Sequence, residues 1–357
     1  MAKVTYLLGA GASAGKYIDN DRIKYKIEGL PCVNEINTSL SSIISILNNY
    51  LIPDDINRDP KLGLNSKEDW EIARKELLSL FSELQSNISN HATIDTYAKK
   101  LKLQGRLNEF SVLEQLLSLF FIYEQIIRTP DSRYDTFLAN ILNNNSALPK
   151  NIKIISWNYD SQIEIAYSEY NSNLDNLNIG SKTYKDYQEW NILKLNGTAN
   201  FYKHERELIE IRKEVLNEIA KIKSTLNDKS EISEKEGQLK LKKFLMLYKS
   251  YMHEKTNNTD LSFAFDYTSH SEAILQRSHE IINDTDALVI IGYTFPFFNR
   301  EIDRKVLSRL SPRAKVYIQD LALEKIKESF KAVLPNFNDN NISLIRDVTQ
   351  FYLPPEL

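Results

Sequence analysis

Gly9, Ala10, Gly11, Ala12 and Ser13 are small residues placed directly after an apolar run, within VTYLLGAGASAG at positions 4–15. Val4, Thr5, Tyr6, Leu7 and Leu8 read as a buried strand, rich in β-branched and aromatic side chains. A strand ending in small residues lets a helix start at once. The free N–H groups of that first turn then face whatever lies above the strand end. Gly9 and Gly11 permit backbone angles and a close approach that a Cβ blocks, so a diphosphate can lie against the main chain. An ordinary tight strand–helix turn uses the same residues, and the motif alone carries either reading.

Polar groups follow other apolar runs in the same way. IKIIS (152–156) leads into Trp157-Asn158-Tyr159-Asp160. An amide and a carboxylate two residues apart face one cleft if the chain stays extended, while Asp160 also suits the N-cap of a following helix. ILKL (192–195) leads into Asn196-Gly197-Thr198, a polar strand end or a plain turn. ALVII (287–291) leads into Gly292-Tyr293-Thr294-Phe295, where Gly292 and Thr294 are placed for a second phosphate or a ribose. AKVYI (314–318) runs into Gln319-Asp320, and Asp320 is either a ribose acceptor or a solvated loop residue.

The elements that must hold these groups follow from periodicity. Short apolar runs separated by helical segments, with a further one at ISLI (342–345), are the pattern of parallel strands covered on both faces. The predicted fold is therefore α/β, a Rossmann-like parallel sheet with large helical insertions. Residues 1–30, 150–202 and 280–357 form the predicted core, and 31–149 a helical insertion. Ser66-Lys67-Glu68-Asp69 reads as a capping box opening one of its helices. Residues 203–279 are predicted as a charged helical hairpin insertion, turning at Asn227-Asp228-Lys229-Ser230. Its narrow apolar stripe suits a solvated hairpin or an arm for oligomerisation or a partner.

Composition narrows the classes. The 357 residues carry 42% hydrophobic residues and a net charge of −3, enough apolar material for a core and no polybasic nucleic-acid signature. Cys32 is the single cysteine, so neither an internal disulfide nor a multi-thiolate zinc site is available. The chain opens on a strand without a signal-peptide pattern, and no run of about 18 apolar residues is apparent. A cytoplasmic protein with no membrane span is expected.

Taken in order, GAGAS, WNYD, LNG, GYT and QD resemble the sirtuin superfamily, and more narrowly the sirtuin-like NAD hydrolases of prokaryotic anti-phage defence. The resemblance spans roughly 1–30, 93–103, 150–202 and 285–350, with Ile94-Asp95-Thr96-Tyr97-Ala98 similar to a helical element near the family's pocket. It implies NAD+ as substrate without zinc, and Gly9 to Ser13 as the diphosphate loop. It further implies Asn158 in catalysis at the nicotinamide ribose, Asp160 on the carboxamide, and Gly292 and Thr294 toward the adenosine side. Where the family carries Leu-His-Gly, this chain has Leu195-Asn196-Gly197, and asparagine has no pKa useful to a general base. Positioning of water by Asn158 and Asn196 remains available, as does a base from His204, His270 or His279. The implied activity is NAD+ glycohydrolysis by a defence effector, in a homo-oligomer or beside a partner ATPase or nuclease. A catalytically weak sensor of NAD or ADP-ribose is the alternative. A dehydrogenase is disfavoured, because no acidic residue closes a first βαβ unit about 20 residues past the glycine loop to grip a ribose: Asp19 and Asp21 come too early, and Glu28 and Glu35 are poor fits.

Overall fold

A computed structural model describes residues 1–15, 17–20, 23–26, 28–177, 179–180, 190–199, 205–252, 259–266 and 269–357. The chain opens with β1 (Val4–Leu8), then a short hairpin of β2 (Tyr17–Asn20) and β3 (Ile23–Lys26). Helices α1 (Ile36–Asn49), α2 (Lys67–Ser89), α3 (Ile94–Leu103), α4 (Leu107–Ile127) and α5 (Ser132–Ile141) follow. Next come β4 (Ile152–Ser156), α6 (Gln162–Tyr167), β5 (Ile179–Gly180), β6 (Ile192–Lys194), α7 (Glu205–Thr225) and α8 (Lys229–Met252). The last elements are α9 (Ser269–Asn283), β7 (Ala287–Ile291), α10 (Arg300–Leu307), β8 (Lys315–Gln319), α11 (Leu323–Val333) and β9 (Ile342–Ile345).

Seven strands form a parallel sheet in the order β5-β6-β4-β1-β7-β8-β9. The Rossmann-like α/β class predicted from the apolar runs is the observed one. No residue of β1 is more than 2% exposed, as expected for a strand paired on both edges and covered on both faces. From β1 the chain works outward on the β4 side and later returns to β7 on the other edge of β1. This reversal makes a topological switch point, where ligand crevices form in such sheets.

Register brings the polar strand ends level. Leu8 lies opposite Ser156 and Ile291, Ser156 opposite Lys194, and Ile291 opposite Gln319. Gly9, Trp157, Leu195, Gly292 and Asp320 therefore leave the sheet along one edge. Alternation along the strands then sorts side chains to two faces. Leu7, Ile155, Trp157, Leu193, Leu288 and Ile290 share one core cluster. On the other face, Tyr6 packs edge-on against Phe137 of α5 at 4.8 Å.

Two compact units are present: Met1–Leu30 with Arg128–Thr198 and Asp260–Leu357, and Pro31–Ile127 with Ala199–Thr259. The sheet unit thus claims 128–149, because α5 packs on α6 and on β1. The sequence assigned that stretch to the helical insertion. It also separated 31–149 from 203–279, whereas most of both stretches belongs to one helical unit, and α9 belongs to the sheet unit.

Within the helical unit the charged hairpin packs the inner ends of α7 and α8 into the core, around 208–215 and 239–251, while 216–236 is half-buried or exposed, as a solvated hairpin is. Phe244 of α8 is fully buried, 5.4 Å from Phe81 and 4.2 Å from Tyr123 by ring centroids. A Cβ on Gly237 would lie 2.0 Å from the Tyr50 ring, so the absent side chain lets that ring pack onto α8. Arg212 of α7 donates to the carbonyls of Gln125 and Ile126 at the end of α4, where cationic groups complement the helix dipole. The capping box of α2 is formed by Ser66 and Asp69. Against the expectation of no such apolar run, α4 is long and apolar enough to cross a membrane. Of its apolar 18-residue window 67% is buried within the protein, as in a core helix.

Candidate functional site

The β1 loop is fastened by side chains from below. Asn158 donates its amide to the Gly9 carbonyl at 2.9 Å and to Ser13 Oγ at 3.2 Å. Gln162 Nε2 reaches the Ser13 carbonyl at 3.0 Å, and the Arg133 guanidinium donates to the carbonyls of Gly11 and Ala12. Arg133 is itself paired with buried Asp131, whose Oδ2 also accepts the Gly15 N–H at 2.7 Å. Ser13 Oγ also meets the Tyr134 hydroxyl at 3.0 Å. Burial, reinforced by the nearby Asp160 carboxylate, holds the Tyr134 hydroxyl well above its ordinary pKa. Ser13, Tyr134, Asn158 and Asp160 thus gather beneath one loop.

The local backbone departs from the predicted strand–helix turn. Ala10–Ser13 is a single 3₁₀ turn, and the β2–β3 hairpin follows instead of an α-helix. Several amides expected to face a phosphate already have partners inside the protein. Gly9 N–H donates to Ile291, Gly11 N–H to Gly292, and Ala12 N–H to Gly9. The glycines serve loop-on-loop packing: a Cβ on Gly11 would lie 2.7 Å from Gly292 Cα. Gly292 has φ of +58°, and a Cβ there would come within 2.4 Å of Ala12 N.

The turn after β4 is set by its own polar atoms. Ser156 Oγ accepts the Asn158 N–H, and Asp160 Oδ1 accepts the Gln162 N–H; the N-cap of α6 is Ser161 rather than Asp160, which serves the first helical N–H from one residue ahead of the cap. Behind it, Lys194 at the end of β6 is 1% exposed. Its Nζ donates to the Asp160 carbonyl at 2.6 Å and pairs with Glu164 at 2.9 Å. One buried ammonium therefore ties the β6 end to the WNYD turn.

Asn196 lies on the opposite side of the sheet edge. Its carbonyl accepts the Ser262 N–H at 2.9 Å, and the residue lines a small cavity with Trp157, Ser262, Phe263 and Asp266. Trp157 stacks on Tyr293 at 5.8 Å, and the Tyr293 hydroxyl donates to the Asp303 carboxyl, 2.9 Å from each of its oxygens. Burial pushes the Asp303 carboxyl up to about 8, with the Tyr293 bond working against that rise. Asn158, Asp160 and Asn196 are each 6% exposed, whereas Thr294 is exposed. Asp320, half-buried, accepts the Ala322 N–H ahead of α11. Among the described residues no cluster of three or more His, Cys, Asp or Glu is placed to hold a metal ion. His204 lies outside the described residues, as does the side chain of His270.

The chain matches no protein-family model and no curated protein. The site therefore rests on its own geometry. Sequence pattern missed Tyr134, Asp131 and Arg133, which approach the β1 loop from more than 100 residues away. It also missed Lys194, concealed within an apolar strand. A lysine inside a four-residue apolar run was the available signal, since a lysine is rarely fully buried unless paired.

Proposed function

We propose that this chain is a zinc-less, sirtuin-like NAD+ glycohydrolase that releases nicotinamide and ADP-ribose. The observation that carries the reading is the Asn158 amide bound to the Gly9 carbonyl and Ser13 Oγ. It joins the two motifs of the resemblance at the switch point of a parallel sheet, the place where such folds take dinucleotides. In this reading the main chain around Gly9–Ser13 meets the pyrophosphate, Asn158 stands at the nicotinamide ribose, and Asp160 meets the carboxamide. Gly292, Thr294 and Asp320 serve the adenosine end. The scissile C–N bond joins a cationic pyridinium to C1′, so nicotinamide leaves readily and the catalyst chiefly stabilises an oxocarbenium-like centre.

The low exposure of Asn158, Asp160 and Asn196 supports a resting enzyme that must open before turnover. Latency fits a cytoplasmic effector of anti-phage defence whose constant activity would drain its host of NAD+. Activation by self-association or by a partner ATPase or other defence protein belongs to the same proposal.

A second reading, a sensor that binds NAD or ADP-ribose without turnover, is favoured by the internally bonded loop amides and by Asn196 in the histidine slot. HPLC of NAD+ incubated with the full-length chain, alone and in assembled form, separates the two. Nicotinamide release supports the hydrolase. Calorimetric binding without release supports the sensor.

A further inference from the structure

The start of α5 supports the β1 loop from below, and one of its side chains touches a partner of Asn158. Asp131 accepts the Gly15 N–H, Arg133 donates to the Gly11 and Ala12 carbonyls, and the Tyr134 hydroxyl lies 3.0 Å from Ser13 Oγ. Gln162 of α6 closes the circuit: its Nε2 donates to the Ser13 carbonyl, and its Oε1 accepts the Asp131 N–H at 2.6 Å. Tyr134 is 1% exposed, its ring edge-on against Phe351 at 5.0 Å. It meets Ser13 from the α5 side of the sheet, the side to which Asn158 also turns.

Bond directions follow from which atoms can donate. The Asn158 amide spends one hydrogen on the Gly9 carbonyl and the other on Ser13 Oγ. What it has left to offer a ligand is its carbonyl oxygen. Of the two hydroxyls, the phenol is the stronger acid, so Tyr134 donates to Ser13 Oγ. Burial, and then the Asp160 carboxylate, hold the Tyr134 pKa well above its ordinary value, so that proton stays in place. Ser13 Oγ accepts from both Asn158 and Tyr134, and its own proton points away from both.

Resting on the hydrolase reading above, we propose that Tyr134 is a positioning residue of the reaction, fixing Ser13 as a donor and, through Ser13, holding the Asn158 carbonyl oxygen toward the nicotinamide ribose. Ser13 and Asn158 then stand as one donor beside one acceptor. A ribose hydroxyl carries the complement, a proton for Asn158 Oδ1 and a lone pair for Ser13. Groups fixed in advance need no rearrangement as the ribose flattens toward its oxocarbenium-like state, so the benefit falls on kcat more than on binding. Tyr134→Phe keeps the ring against Phe351 and removes only the oxygen. Ser13 Oγ then accepts from Asn158 alone, and its proton is free to rotate.

The test compares Tyr134→Phe, Ser13→Ala and the double variant with wild type in the full chain, following nicotinamide release. Urea denaturation checks that each variant is folded. Tyr134→Phe is expected to lower kcat about 10–100-fold with KM changed less than about twofold. In the Ser13→Ala background the same substitution is expected to change kcat less than about twofold, because its route to Asn158 is already gone. A merely structural role gives equal losses in the two backgrounds, and equal losses overturn the proposal. Wild-type kcat in Tyr134→Phe also overturns it and leaves the hydrolase reading standing. If Tyr134→Phe does not fold, wild-type kcat in Ser13→Ala overturns the proposal, since Tyr134 acts through Ser13. Wild-type protein that binds NAD+ and never releases nicotinamide overturns the hydrolase reading and this proposal together.

Discussion

Asn158 and Gly9 are joined across neighbouring strand ends by a side-chain amide on a main-chain carbonyl at 2.9 Å, in a buried setting. Strand register makes that contact possible, because Leu8 and Ser156 are paired and each loop starts from the same level. Replacing Asn158 with Ala leaves the Gly9 carbonyl with the Ala12 N–H alone and removes a partner of Ser13 Oγ. A loss of about 1–3 kcal/mol in stability is expected, read by urea denaturation. Nicotinamide release should disappear while the fold survives. Full turnover by Asn158→Ala would remove Asn158 from the reaction.

Lys194 and Glu164 form a pair that is 1% and 0% exposed at the side chains. Removing one partner leaves a buried charge unmatched, so Lys194→Met should destabilise by about 3–5 kcal/mol. The double substitution Lys194→Met with Glu164→Leu should recover most of that loss. Chemical denaturation of the single and double variants measures both, and a double variant no more stable than the single one contradicts the account.

Asp303 gives the sheet unit a pH dependence of defined sign. Its folded carboxyl titrates at about 8, above the usual carboxylate value, because it is buried. Both folded and unfolded chains hold the proton at strongly acid pH. As pH rises from about 4 toward 8, the unfolded chain gives up this proton first, and the contribution of Asp303 to stability falls by up to about 1.4 kcal/mol per pH unit. Above about 8 that contribution levels off. Unfolding free energies measured between pH 5 and pH 8 should fall more steeply for wild type than for Asp303→Asn. Equal slopes would show that the carboxyl is ionised throughout.

Phe244 locks the hairpin of α7 and α8 to α2 and α4 through Phe81 and Tyr123. Phe244→Ala should cost about 3–5 kcal/mol through lost transfer energy and the cavity left behind. Hydrogen exchange should speed up throughout the helical unit, and not in the hairpin alone. Acceleration confined to 205–252 would restore the picture of a separate arm.

Most of the sheet was legible in the chain, because buried parallel strands must be short and continuously apolar. VTYLL, IKIIS and ALVII coincide with β1, β4 and β7. The seam between the units was not legible. Both α5 and the charged hairpin carry the same 3.6-residue periodicity, which shows that a face is buried and not what buries it. The two-stranded hairpin after Gly15 escaped notice for a related reason: small residues after a strand are as compatible with a 3₁₀ turn as with a helix.

Residue order alone determined the α/β class and which polar groups stand just past each strand, since backbone pairing and apolar alternation are local properties. Tertiary structure decided which face each group turns to and what it touches. A two-residue period sends Trp157 to one side of the sheet and Asn158 to the other, toward Gly9 and Ser13. Only the folded chain brings Asp266 to the wall that Asn196 shares, from 70 positions further along the sequence, because that meeting depends on how distant segments pack.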